Sequence, residues 1–224
     1  MGKLQSLAKD TAIYGLSSII GRFLNYLLVP LYTAKMSVES GNYGVVTNVY
    51  AWTAILLVLL TFGFETTFFR FASKENADIK RVFSMSMQVV GSLCAVFLLA
   101  VFMFLPGISE TLGYAANPEF IGMMAVVVAL DALQAIPFGL LRLQKRPLKF
   151  AALKLLFIGM NIAMNLFAFV ALPWLTVEMP DTFARFYNPH NQAFYVFFIN
   201  LLCTSSITFF FIPELRMFRF TADK

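Results

Sequence analysis

Charge is scarce in this sequence. Only 13% of its 224 residues are Asp, Glu, Lys or Arg, roughly half the share usual in a soluble domain. Such a chain has too few solvated side chains to coat a water-facing surface, so lipid becomes its main solvent. Cysteine and histidine are scarcer still. Cys94 and Cys203 lie inside apolar stretches, and His190 is the single histidine. This excludes a disulfide framework and a Cys/His metal centre, and leaves the thiols as small packing groups. The motifs of soluble catalysis are also missing: no HExxH, GxSxG, Walker loop or paired-carboxylate signature occurs. No cofactor is implied, and an enzyme embedded in a membrane needs clustered acids or histidines at one face, which the sequence does not supply.

What it has in plenty is hydrocarbon. Hydrophobic residues make up 59% of the chain, 26 of them phenylalanine. Six apolar stretches stand out, at about 11–33, 43–64, 82–105, 118–140, 150–172 and 191–213. Each is long enough to cross a hydrocarbon core of about 30 Å as an α-helix. None alternates as a barrel strand does, so helices are the expected spanning form. The expected architecture is an all-α integral membrane bundle of six helices over residues 1–213, with 214–224 as a tail. The breaks fit: Asn117-Pro118 reads as an N-cap followed by a first-turn proline. Pro106, Pro173 and Pro213 stand where spans three, five and six should stop. The first stretch follows Lys3 and Lys9 but contains Arg22 and lacks a small-residue cleavage site, so it reads as a retained span.

The 17 basic residues report the orientation. Thirteen fall on one side: Lys3 and Lys9, then Arg70 to Arg81, Arg142 to Lys149, and Arg216, Arg219 and Lys224. Lys35 and Arg185 fall on the other. By the positive-inside rule both termini are expected in the cytoplasm. Basic clusters separated by apolar spans also do not form the continuous face that nucleic acid needs, so nucleic acid is not the expected partner. Membrane lipids are, and the basic run Arg142–Pro147 suits either anionic headgroups or plain topology signalling.

Polar groups within the spans are costly, about 2.5–3.5 kcal/mol for a charge on insertion scales, and therefore informative. Ser18, Arg22 and Asn25 share one face of the first span. Arg22 there lines a cavity, snorkels, or pairs with an acid in the bundle. Asp131 and Gln134 form a stripe in the fourth span. Asp131 suits pairing with a cation such as Arg22, ion coupling, or a satisfied carboxylate in the bundle. Lys154, Asn161 and Asn165 repeat the pattern in the fifth span, where Lys154 is also near enough to the inner end to snorkel. Asn200, Thr204 and Thr208 share a face in the sixth, as helix–helix hydrogen bonding also requires. Glu65 and Arg70 flank the inner end of span two and suggest a local ion pair. Together these stripes point to a shared hydrophilic cavity weighted towards cations and amides. It would suit an anionic, hydroxyl-rich ligand.

The order of several motifs adds a resemblance. The run Lys9-Asp10-Thr11-Ala12-Ile13-Tyr14-Gly15-Leu16 is followed by Arg22, by Leu27-Leu28-Val29-Pro30-Leu31-Tyr32-Thr33 and by Tyr43-Gly44. Further on come Leu141-Arg142 with its basic loop and Pro213-Glu214-Leu215. This pattern resembles the N-terminal lobe of bacterial polysaccharide flippases, the O-antigen-type (Wzx-like) exporters of the multidrug/oligosaccharidyl-lipid/polysaccharide superfamily. The resemblance implies two six-helix bundles rocking about a central cationic cavity. It also implies a lipid-linked oligosaccharide substrate, carried on undecaprenyl diphosphate across the bacterial inner membrane, and matches Arg22 to a cavity-lining arginine. It further implies that this chain is an N-terminal half, ending in an inter-lobe linker and pairing with a second lobe or another copy of itself. The alternatives are half of a multidrug/cation antiporter from the same superfamily, and a self-contained six-span membrane enzyme or assembly protein.

Overall fold

A computed structural model describes residues 12–16, 19, 27–36, 41–183 and 187–219, all helices and connections. The helices are α1 (Leu28–Lys35), α2 (Asn42–Thr61), α3 (Phe64–Ala72), α4 (Ile79–Met103), α5 (Leu105–Thr111), α6 (Glu119–Leu143) and α7 (Pro147–Leu166). A π-helical turn (Phe167–Ala171) leads into α8 (Leu172–Glu178), followed by α9 (Pro180–Phe183), α10 (Gln192–Phe210) and α11 (Ile212–Leu215). Among the described residues, five helical segments are long and apolar enough to cross a membrane: Asn42–Ala72, Ile79–Met103, Glu119–Leu143, Pro147–Glu178 and Gln192–Phe210. They coincide with the second to sixth stretches expected from sequence. The first expected span lies partly outside the described residues.

The exterior of these segments is apolar. Val96 is 66% exposed, Leu99 67% and Phe209 69%. Hydrocarbon presented so freely suits lipid, where it costs nothing and the backbone's hydrogen bonds are satisfied inside each helix.

The central element is α6, which packs on α2, α4, α7 and α10. Its small residues let neighbours approach closely. Gly139 shows this best: a Cβ there would lie 3.3 Å from the Phe68 ring of α3. One core gathers around Val46, Phe120, Met124 and Phe197. A second gathers around Phe68, Phe83, Val90 and Leu140. A third joins Phe138, Phe150, Ile207 and Phe211.

Local chemistry sets the helix ends. Asp78 caps α4, its carboxylate accepting from the N–H groups of Lys80 and Arg81 at 3.0 and 3.2 Å. Phe62 and Gly63 both adopt left-handed backbone, with φ of 38° and 70°, which ends α2 and redirects the chain into α3.

Three local expectations change. Asn117 does not cap α6; its amide donates to Glu119 Oε1 at 3.1 Å instead, and Pro118 precedes the first helical residue. Glu65 does not pair with Arg70, which lies five residues on and so points away from it around the helix; its partner is Arg142. Pro173 does not stop the fifth span, whose helix continues to Glu178. A proline inside a helix removes an N–H and crowds a carbonyl one turn back. Here the wider π turn Phe167–Ala171 comes just before it and absorbs that conflict. Much of the stretch between the fifth and sixth expected spans is accordingly helical, in α8 and α9.

The bundle has two chemically distinct ends. At one, Glu65 pairs with Arg142, Glu214 takes Arg146 and Lys149 at 3.2 and 2.7 Å, and the Arg219 N–H donates to Ser84. This basic end collects the loops that carry most of the lysines and arginines. At the other, amide end, Asn42 donates to the His190 carbonyl and Gln192 to the Lys35 carbonyl, both at 3.2 Å.

Candidate functional site

Polar side chains inside the bundle gather around two neighbouring chambers. The first, about 390 Å³, opens between α2, α3, α6, α7 and α10 in the half nearer the basic end. Glu65, Asp131, Gln134, Arg142 and Lys154 line it, with Thr61, Phe138 and Phe157. The α6 residues Asp131, Gln134, Phe138 and Arg142 recur at steps of three or four, which puts them on one helical face. Lys154 comes from the facing side of α7.

The charges are held in place. Arg142 pairs with Glu65 and lies over the rings of Phe150 and Phe69, 5.3 and 5.9 Å from their centroids. Its Nε is buried without a hydrogen-bond partner. The Lys154 ammonium stands 4.2 Å over the Phe138 ring, an attraction that strengthens where water is excluded. Asp131 acts on it electrostatically from across the chamber. Lys154 therefore does not snorkel to the helix end; it is turned into the bundle.

Gln134 is committed to packing. Its amide donates to the Thr204 carbonyl and the Thr208 hydroxyl, both at 2.9 Å, tying α6 to α10.

The second chamber, about 260 Å³, lies towards the amide end. Tyr32, Tyr43, Thr47, Tyr50, Asn161 and Asn200 line it, and Phe157 borders both chambers. Asn200 donates to the Tyr50 hydroxyl at 2.8 Å. Asn165 is fully buried behind this surface, accepting from Tyr32 at 2.8 Å and donating to Asn161. It supports the wall and does not line it.

The structure thus brings Asp131, Gln134 and Lys154 to one chamber, Asn161 to the next, and leaves Asn165 in the packing. Ser18, Arg22 and Asn25 lie outside the described residues. Sequence reading missed Glu65 and Arg142 as lining groups, because both stand at span ends, where charge ordinarily faces water. It also missed Tyr43 and Tyr50, whose polar tips hydropathy hides. Among the described residues the first chamber holds two carboxylates and two cations; Arg22, on which the expected weighting towards cations also rested, lies outside them.

A larger pocket of about 580 Å³, bounded by α2, α4, α5 and α6, includes Trp52, Leu56, Phe97, Phe104 and Met124. Its described lining has no charged group, and its two threonine hydroxyls, Thr53 and Thr111, are bonded to backbone carbonyls, so it offers room chiefly for hydrocarbon.

No curated protein and no solved structure matches this chain. A family of known description does: the polysaccharide biosynthesis proteins, over residues 7–173. The matched stretch runs from before α1 to the start of α8, and so includes every described lining residue of both chambers except those of α10. An apolar helical bundle with a polar interior, matched over most of its length, belongs to the polysaccharide biosynthesis protein family.

Proposed function

We propose that this chain is one lobe of a membrane transporter that moves a lipid-diphosphate-linked oligosaccharide across the bacterial inner membrane by alternating access. The observation that carries the reading is the charged chamber at membrane depth, in a chain of the polysaccharide biosynthesis family. Ionisable groups inside spans mark substrate or ion pathways, and Arg142 and Lys154 supply the cationic donors that suit phosphate oxygens. The carboxylates of Glu65 and Asp131 hold these cations while no anion is present. An entering diphosphate exchanges for them, which gives the two states of an alternating cycle a differential contact. The distribution of lysine and arginine supports a cytoplasmic basic end, an orientation that turns the charged chamber to the leaflet where lipid-linked glycans are loaded.

The test is glycan export in cells whose surface polysaccharide depends on this protein. Lys154→Met removes the charge but keeps the length of the side chain. It is expected to lower surface glycan about tenfold, the scale of one lost charge-assisted contact, with lipid-linked glycan accumulating inside and the chain still inserted. Wild-type export by that variant would sink the reading.

The two carboxylates favour one second reading, a multidrug/cation antiporter. It predicts efflux of a cationic dye that fails in Asp131→Asn, with glycan export unaffected.

A further inference from the structure

The two chambers differ in chemistry as well as position. Among the described residues every ionisable group of the pair except the tyrosines lies in the first, and the second presents tyrosines, amides and a threonine, with no full charge. Lys154, Phe157 and Asn161 follow one another along a single stripe of α7. Two turns of helix, about 10 Å, separate the ammonium from the amide, and the Phe157 side chain stands between.

We propose that Phe157 divides the cavity into two subsites, and that the tyrosine–asparagine chamber is a saccharide site holding the ring next to the diphosphate. The inference rests on the transport reading above and assigns the ends of its substrate. A neutral pyranose offers an apolar face of C–H groups and a rim of hydroxyls. Tyrosine rings cover the first, and amides meet the second as donor and acceptor together. Two polar groups are available for the purpose. Among the described residues neither the Asn161 amide nitrogen nor the Tyr43 hydroxyl has a hydrogen-bond partner, whereas the hydroxyls of Tyr32 and Tyr50 are engaged by Asn165 and Asn200. Those two bonds hold the rings in position before any ligand arrives, which lowers the entropic cost of binding. The volume of about 260 Å³ falls below the roughly 300–1,000 Å³ of pockets for drug-sized ligands. It fits one sugar ring, not a chain.

The experiment is equilibrium binding to the full chain in lipid nanodiscs. The probes are geranyl diphosphate and the same compound carrying one glucose, galactose or N-acetylglucosamine. At least one sugar-bearing probe should bind about fivefold more tightly than geranyl diphosphate, the equivalent of about one net hydrogen bond. In Asn161→Ala and in Tyr43→Leu that preference should fall below about twofold, while geranyl diphosphate binds as in the wild type, which also shows that each variant is folded. Lys154→Met should weaken all probes together and keep their ratio. Equal binding of geranyl diphosphate and all three sugar-bearing probes overturns the saccharide site but leaves the anionic carrier standing. So does a preference that survives both substitutions. Failure of the wild type to bind any of the four overturns the transport reading, and the saccharide site with it.

Discussion

Single side chains in this bundle divide by what their hydrogen-bonding capacity is spent on. Gln134 and Asn165 are buried and bonded to neighbouring helices, Gln134 donating to Thr204 and Thr208 and Asn165 accepting from Tyr32, while Lys154 lies over an aromatic face and meets Asp131, Arg142 and Glu65 only electrostatically. The two kinds should respond differently to mutation. Gln134→Met keeps the volume but removes both bonds to α10, leaving the Thr204 carbonyl to the Thr208 hydroxyl alone. It is expected to cost about 1 kcal/mol, the modest value typical of polar contacts between membrane helices, read by equilibrium unfolding in SDS–detergent mixtures. Export should stay within about twofold of wild type, since a small uniform loss of stability leaves most chains folded. A collapse of export without any loss of stability would show that Gln134 contacts the substrate. Glu214 is a third case. It is buried beneath Arg146 and Lys149 and fastens α11 to the α6–α7 turn.

At the scale of elements, the joint between α2 and α3 concentrates backbone strain. Phe62 and Gly63 are both left-handed, a region that disfavours side chains by roughly 1–2 kcal/mol per residue. Nothing lies within 4 Å of a Cβ built on Gly63, so the conformational cost stands alone there. Gly63→Ala should therefore lower stability by about 1–2 kcal/mol in the same unfolding assay. A neutral result would mean that the α2–α3 joint takes a different backbone form in the bilayer. The joint also decides the site: it sets the angle of α3 and so brings Glu65 to Arg142. The π turn before Pro173 does comparable work in α7, letting one helix run on past a proline to Glu178.

For the whole molecule, the separation of basic and amide ends makes the orientation measurable. Cys94 and Cys203 are 2% and 0% exposed, so a cysteine introduced at Lys145 or His190 reports on its own. A membrane-impermeant maleimide added to intact cells should label His190→Cys and spare Lys145→Cys, with the reverse in inverted vesicles. Labelling of both from one side would overturn the cytoplasmic assignment of the basic end. Much of this was legible beforehand. Five apolar stretches became helices at nearly the expected positions, because hydrocarbon thickness dictates length and helical geometry satisfies the backbone whatever the neighbours are. Facing direction was legible too where spacing repeats: Asp131 and Gln134 share a chamber with Lys154. The sequence by itself determined solvent, helix lengths and the sorting of charge to the loops, all properties of segments taken one at a time. Only the tertiary structure decided which of those charges face inward. Glu65 chose Arg142 over the nearby Arg70, Lys154 turned to Phe138, and Asn165 was taken up by Tyr32. Each of these pairs joins different helices, and no periodicity within one helix encodes how its neighbours are rotated against it.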